Sequence, residues 1–342
     1  MESNSRRKHE HLHINLTKDV QFASVRTGLE NYRFVHQALP EINASKINLS
    51  TVLFGKRLGA PLVLSPMTGG IKKAQRINRN LAQAAQTLGI AMGVGSQRTA
   101  IENPRVANTF RVRNVAPDIL LFANLGAVQL NYGYTHDKCK RAVDMIEADA
   151  LILHLNPLQE ALQPEGQTDF SRLLNKIERV CKKLTVPVVI KEVGWGISES
   201  VAKKLFEAGV AGIDVAGAGG TSWGEVERHR SRNDNRNNIA KSFASWGIPT
   251  AESVQMTRRG APELPLIASG GIRTGIDVAK AIALGADVTG IAGPLLKAAD
   301  DSAEAVISSV SEIIEVLRIT MFCIGAANLP ELKSSPFLEK VK

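Results

Sequence analysis

Apolar bursts recur along the chain, and each ends in small or polar residues. They run APLVLSPMTGG (60–70), IAMGVGSQR (90–98), DILLFANLGA (118–127), DALILHLNP (149–157), VPVVIKEVG (186–194), AGIDVAGAGG (211–220), LPLIASGG (264–271) and ADVTGIAGP (286–294). Their length and β-branched content predict buried parallel strands. Helical patterns lie between them: AQRINRNLAQAAQTLG, closing on Gly89 as a C-cap, then HDKCKRAVDMIEA, FSRLLNKIERVCKKL, SESVAKKLFEAG and TGIDVAKAIALG. Ser198 and Thr274 suit N-caps, and Gly209 and Gly285 suit C-caps. A last helix is expected from near Asp301.

Strand–helix alternation repeated about eight times predicts an α/β (β/α)8 TIM barrel. A doubly wound sheet would place G-x-G-x-x-G directly after its first strand, and SPMTGG is not that motif. The expected organisation is an N-terminal cap of short helices and turns over 1–59, the barrel over 60–325 and a C-terminal tail over 326–342. An irregular insertion is expected at 221–245, after the sixth strand.

Composition narrows the ligand. Of the 342 residues 44% are apolar, enough for a large core, and only 5% are aromatic, which argues against base-stacking platforms. The formal charge of +9 favours an anionic ligand. The densest basic clusters, RRKHEH (6–11) and ERHRSRNDNR (227–236), contain acids and interleave no aromatics. Small phosphorylated ligands therefore fit at least as well as nucleic acid. Cys139, Cys181 and Cys323 lie far apart and form no C-x-x-C pair, so neither a disulfide framework nor a zinc site is expected and a reducing cytoplasm fits. The N-terminus has no apolar signal core, and SEIIEVLRITMFCIGAANL is broken by Glu315 and Arg318, so no membrane span is expected.

Active sites of barrels gather at the C-terminal ends of the strands. Those ends read Met67-Thr68-Gly69-Gly70, Ser96-Gln97-Arg98, Asn124, His154 with Asn156, Gln159 and Glu160, Lys191, Gly219 to Trp223, Gly270 to Arg273, and Ala292-Gly293-Pro294. Glycine loops after strands seven and eight, with Arg273 adjacent, suit a phosphate. In HLNPLQE (154–160), His154 and Asn156 point the same way along a strand and Leu155 the other. Five residues have plain alternatives: Lys191 as a barrel salt-bridge partner, Arg98 paired with a surface acid, Arg7 and Lys8 of the N-terminal cluster in a solvated tail, and Trp223 as loop packing.

Taken together, RKHEH (7–11), SPMTGG, GSQR, NLGA, HLNPLQE, KEVG, GAGGTSW, SGGIRTG and AGP resemble the type 2 isopentenyl-diphosphate isomerases, FMN-dependent (β/α)8 enzymes, over residues 7 to about 325. SGGIRTG is shared by many FMN barrels, whereas HLNPLQE, GGTSW and RKHEH are far more specific. The resemblance implies that Met67, Thr68, Gly69, Ser96, Asn124, Lys191 and Thr221 line the flavin and that Gly271, Ile272, Arg273, Ala292 and Gly293 hold its phosphate. It implies Arg7, Lys8, Ser96, Gln97, Arg98, His154, Asn156 and Gln159 at the substrate, isopentenyl or dimethylallyl diphosphate. Gln159 and Lys191 would be catalytic, and Glu160 would bind Mg2+. The double bond would move by a 1,3-proton shift on reduced FMN, with NADPH loading the electrons, in a cytoplasmic homo-oligomer, a tetramer or octamer. Two rivals stand beside it. One is a true FMN oxidoreductase, for which a cysteine or a histidine base on a strand-end loop would be expected; all three cysteines fall on predicted helices, and the 221–245 loop holds His229 but no cysteine. The other is a basic phosphate- or RNA-binding protein without catalysis.

Overall fold

A computed structural model describes residues 2–231 and 233–341; Arg232, within the 227–236 basic cluster, lies outside the described residues. Eight strands close a parallel barrel: β1 Leu62–Leu64, β2 Ala91–Gly93, β3 Leu121–Gly126, β4 Ala150–Leu155, β5 Val188–Glu192, β6 Gly212–Asp214, β7 Leu266–Ser269 and β8 Val288–Ile291. Each pairs with its neighbour in chain order, and β8 returns to β1 with Thr289 opposite Leu62. The expected eightfold barrel is therefore the fold.

Residues along each strand alternate between two cores. Val63, Ala91, Phe122, Ile152, Val189, Ile267 and Val288 fill one cluster with Leu53 and Leu58 from a hairpin of Thr51–Leu53 and Lys56–Leu58. Phe54, at the hairpin turn, meets Phe122 edge-on at 6.1 Å. The hairpin thus packs its apolar side into this cluster. The larger cluster takes in the surrounding helices.

Local signals set the helices. Lys72–Leu88 stops at Gly89, whose φ of 63° suits glycine. Ser198 accepts from Val201 N, and Thr274 forms a reciprocal capping box with Asp277. Gly209 and Gly285 each follow the cap residue, Ala208 and Leu284, in the positive-φ region. The last long helix is Ala303–Cys323, capped by Ser302, after a short helix at Leu296–Asp301.

Two expectations fail. The 221–245 segment is not irregular: it forms helices Trp223–Arg230 and Asp234–Ser242, because Ser222 and Asn233 each cap a helix N-terminus. Residues 1–59 do not begin with short helices: Glu2–Thr17 is one helix of 16 residues. It lies against Trp223–Arg230, where Ile14, Val20 and Val226 form a small core. Leu338–Lys340 pairs antiparallel with Tyr32–Phe34, and Leu332 is fully buried, so the C-terminal segment packs on the body. Among the described residues no helix is long and apolar enough to cross a membrane.

Candidate active site

The end of β4 brings the polar residues of HLNPLQE together. His154 Nδ1 lies 2.8 Å from Asn124 Oδ1 on β3. Asn124 Nδ2 donates to Val94 O, which fixes its oxygen toward the ring, so Nδ1 must carry the imidazole proton and Nε2 is left as the acceptor. Burial, then the positive charges of Lys8 and Lys191, push the His154 pKa down to about 3, so the ring is neutral at pH 7. Gln97 is fully buried beneath this pair: its oxygen accepts from Asn124 N and its amide donates to Ala142 O.

Asn156-Pro157 ends the strand and starts the short helix Pro157–Leu162, since proline at the first helical position gives up no hydrogen bond. One turn of helix then stacks three side chains. Asn156 Nδ2 donates to Gln159 Oε1 and to Glu160 Oε1, each at 3.1 Å. Gln167 N donates to Glu160 Oε2 at 2.6 Å. All three residues are buried, yet Asn156 Oδ1 has no partner among the described residues. A buried acceptor left unpaired is costly, and it sits where a donor or cation would satisfy it.

Gln159 Nε2 donates to Glu227 Oε1 at 3.2 Å, from the helix after the sixth strand. His11 Nε2, on the N-terminal helix, is 3.0 Å from the same oxygen but lies off the hydrogen-bonding direction. Arg230 pairs with Glu227 at 2.9 Å, with Glu10 at 3.0 Å and with Glu165. Burial raises the Glu227 pKa, but the His11 contact and Arg230 outweigh it and hold the carboxyl below its usual range. Burial pulls the His11 pKa down against the attraction of Glu227. Glu10, His11, Glu227 and Arg230 carry no role in the sequence reading. The signal available was the i, i+4 spacing of Arg7 and His11 within RKHEH, which places both on one helix face.

Arg7 and Lys8 are therefore not in a solvated tail. Arg7 Nη1 donates to Gln163 Oε1 at 3.1 Å. Burial, then Arg98, lower the Arg7 pKa, and burial, Arg7 and Arg98 push Lys8 to about 8. Arg98 pairs with Glu102 at 2.9 Å and also donates to Gln167 Oε1 at 3.2 Å. No acid among the described residues pairs with Lys8. Three cations thus face one another over the β4 end.

Lys191, on β5, is nearly fully buried and makes the barrel salt bridge: Asp214 Oδ2 on β6 is 2.9 Å away. Its Nζ also donates to Ser269 Oγ at 3.0 Å, and Ser269 Oγ donates to Asp214 Oδ1. Lys191 and Asp214 are register partners, so parallel pairing alone puts them side by side. Asp214 and Ser269 are also absent from the sequence reading.

The remaining residues surround the same mouth. Thr68 is buried and its carbonyl accepts from Gly95 N and Asn78 Nδ2, while Met67 packs half-buried on the core. At Gly69 a Cβ would stand 1.9 Å from Phe110 Cε1, so only glycine fits. Ser96 is half-buried beside Gln97. Thr221 lies beside Gly293, where an added Cβ would stand 3.1 Å from Thr221 Oγ1. Trp223 meets His11 edge-on at 5.2 Å, so it packs against the N-terminal helix as well as its loop. Gly270 and Gly271 have φ of 102° and 73°, turning the chain after β7. The N–H groups of Gly271, Ile272 and Gly293 donate to no group among the described residues. Unpaired main-chain donors at the ends of β7 and β8 make an anion cradle, which fits the phosphate of FMN. Arg273, exposed at its rim, donates to Gln21 Oε1 and to Gly271 O. Among the described residues no three His, Cys, Asp or Glu side chains cluster as a metal site.

The family model described as FMN-dependent dehydrogenase matches residues 2–113 and 136–339. A protein of Nostoc sp. named isopentenyl-diphosphate delta-isomerase is 55% identical over 98% of this chain and 96% of its own length. Proteins of the same name from Rickettsia peacockii and Rickettsia bellii are 52% identical, covering 95% and 96% of this chain and the same shares of their own. The chain belongs to the isopentenyl-diphosphate delta-isomerase family. It shares the barrel of flavin oxidases: a lactate oxidase, described as putative, of Pediococcus acidilactici superposes with a TM-score of 0.66 at 19% identity, over 97% of this chain and 87% of that one. A flavocytochrome b2 variant with pyruvate bound gives 0.71 at 19% identity, over 96% and 82%. At that identity the likeness speaks for the fold alone.

Proposed function

We propose that the protein interconverts isopentenyl diphosphate and dimethylallyl diphosphate at the mouth of its barrel. The observation that carries this reading is the meeting of Arg7, Lys8 and Arg98 over a neutral His154, with Glu102 paired to Arg98, Glu160 and Glu165 attracting Arg7, and Lys8 without an acidic partner among the described residues. Mutual repulsion of that kind is relieved by a multiply charged anion. A bound diphosphate would hold Lys8 in the charged form it already has at pH 7 and would favour protonation of His154 Nε2. Ser96 and Gln97 serve the same end, Gln97 by holding Asn124 and through it the His154 ring.

Glu160 and Asn156 Oδ1 would offer oxygen ligands to Mg2+, which when bound would neutralise charge on the diphosphate. Met67, Thr68, Gly69, Ser96, Asn124, Lys191 and Thr221 line the flavin, and Gly271, Ile272, Arg273, Ala292 and Gly293 hold its phosphate. When bound and reduced, FMN supplies an electron-rich ring face and a proton at N5, which suits an alkene too weakly basic for ordinary acids. Gln159 presents its amide to the substrate carbons, and Glu227 fixes that amide by accepting from Nε2. His11, within reach of the same carboxylate, can take or return a proton there. Lys191 keeps a positive charge beside the ring, with Asp214 and Ser269 holding its position. NADPH as reductant, a cytoplasmic location and a tetrameric or octameric state belong to the same proposal.

The test is direct. Purified protein should retain a yellow flavin and, with reductant and Mg2+, convert isopentenyl diphosphate to the dimethylallyl isomer. Protein that holds no flavin, or that oxidises the substrate instead, sinks the reading.

A further inference from the structure

The N-terminal helix has two working faces. Arg7, Glu10, His11 and Ile14 point to the mouth and to the Trp223–Arg230 helix. His9, Leu12, His13 and Leu16 lie on the other side by the 3.6-residue period, with Thr17 at the edge between the two faces. They line a cavity of about 480 Å3 with Lys73, Lys297 and Asp300. This volume lies in the range of small-molecule sites, and none of its lining residues belongs to the site proposed above.

Charge in this cavity is out of balance. Asp300 is its sole acid among the described lining residues, and it is already shared by Lys73 and Arg76, each at 2.8 Å. Lys297 has no acidic partner among the described residues. The rings of His9 and His13 are exposed and have no partner among the described residues. Lys73 stands three residues after Gly70, and Lys297 four after Gly293, so both cations rise from the rim of β1 and β8. The walls between them are the leucines of the helix, and apart from the two imidazoles the lining has no aromatic ring on which a base would stack.

We propose that this groove is a second anion site, taking a diphosphate carried on an aliphatic chain. Its ligand bridges the rim, through Lys73 and Lys297, to the helix, through His9 and His13. Bridging clamps the helix in the position that presents Arg7, Lys8 and His11 to the mouth, so occupancy of the groove strengthens substrate binding. The coupling rests on the isomerase reading; the site itself does not.

The experiment uses the full FMN-loaded chain and titration calorimetry with inorganic pyrophosphate, a long-chain alkyl diphosphate and ADP. Pyrophosphate is expected to fill two sites per chain, the mouth and the groove. Lys73→Ala/Lys297→Ala should remove one, and His154→Ala/Asn156→Ala should weaken the other at least tenfold. The alkyl diphosphate should bind the groove more tightly than ADP. Hydrogen exchange should slow in residues 6–17 when the groove fills with the mouth blocked. One pyrophosphate site in the native protein, or two that survive the double lysine variant, overturns the second site. Tighter binding of ADP overturns the aliphatic ligand, and unchanged exchange overturns the clamp. None of these readouts uses turnover, so a protein that fails to isomerise can still pass them.

Discussion

Glu227 Oε1 receives the Gln159 amide at 3.2 Å from a helix 68 residues further along the chain. The contact joins the β4 end to the segment after β6, and the same oxygen lies 3.0 Å from His11 Nε2. Three separate stretches of sequence thus meet at one carboxylate. Glu227→Gln should lower kcat by about 10²- to 10⁴-fold, the usual scale for a positioned acid–base group. His11→Ala combined with Glu227→Gln should cost little more than either alone, because groups acting as a unit are not additive. Full additivity in that double-mutant cycle would separate the two residues.

Lys8 gives the pH dependence. Its pKa lies near 8, below the ordinary lysine value, so its charge is present at pH 7 and lost as pH rises through about 8. KM for the diphosphate should therefore rise on the alkaline side, and Lys8→Met should flatten that limb while raising KM at pH 7. In the free protein the sign is opposite. A lysine whose folded pKa is lowered makes the folded state gain stability as pH climbs from about 8 toward its unfolded value. Helix exchange rates measured at pH 7 and pH 9 without ligand check this second effect.

Removing Lys191 alone should be severe, since Asp214 would keep a buried charge with Ser269 as its one remaining side-chain partner among the described residues. A loss of about 3–5 kcal/mol of stability is expected for Lys191→Met. Lys191→Met/Asp214→Asn should recover much of it without restoring activity. Chemical denaturation of the two variants, followed by assay, separates structural pairing from the charge beside the flavin. Recovery of activity in the double variant would remove Lys191 from the chemistry.

The barrel's strand entrances carry a repeated fastening. Arg113 bonds Asp149 and the carbonyls of Ala116, Pro117, Ile119 and Glu147, while Asp149 also accepts from Leu121 N. Arg258 bonds Asp287 and the carbonyls of Pro262, Leu264 and Gly285, while Asp287 accepts from Leu266 N. The first staple sits before β3 and β4, the second before β7 and β8. Arg258→Ala should destabilise the fold by about 1–3 kcal/mol, because Asp287 and the part-buried carbonyls of Leu264 and Gly285 lose their shared donor. Its kcat should stay near that of the native protein. A large fall in kcat with unchanged stability would contradict this separation.

The barrel was legible because parallel strands buried on both faces are apolar throughout, and each ended where the pattern broke. The strand-end residues were legible for the same reason: a polar side chain directly after an apolar run has few other uses in this fold. The partners were harder to see. Asp214 stands within AGIDVAG as one acid in an apolar strand, and only the β5–β6 register shows it beside Lys191. Glu227 and Arg230 stand in the sequence only as members of a basic cluster, and helix formation turns them inward. The 221–245 helices went unseen because their signals are two caps, Ser222 and Asn233, and not an apolar stripe.

The central claim is that this chain moves a double bond with reduced flavin and no net oxidation. The most direct measurement is the anaerobic conversion of isopentenyl diphosphate by the FMN-loaded protein with Mg2+, followed in deuterated water before and after reduction of the flavin. The expected result is deuterium-labelled dimethylallyl diphosphate only from reduced protein, with the flavin still reduced after many turnovers. Equal rates with oxidised FMN, or flavin oxidised in step with product, would contradict it.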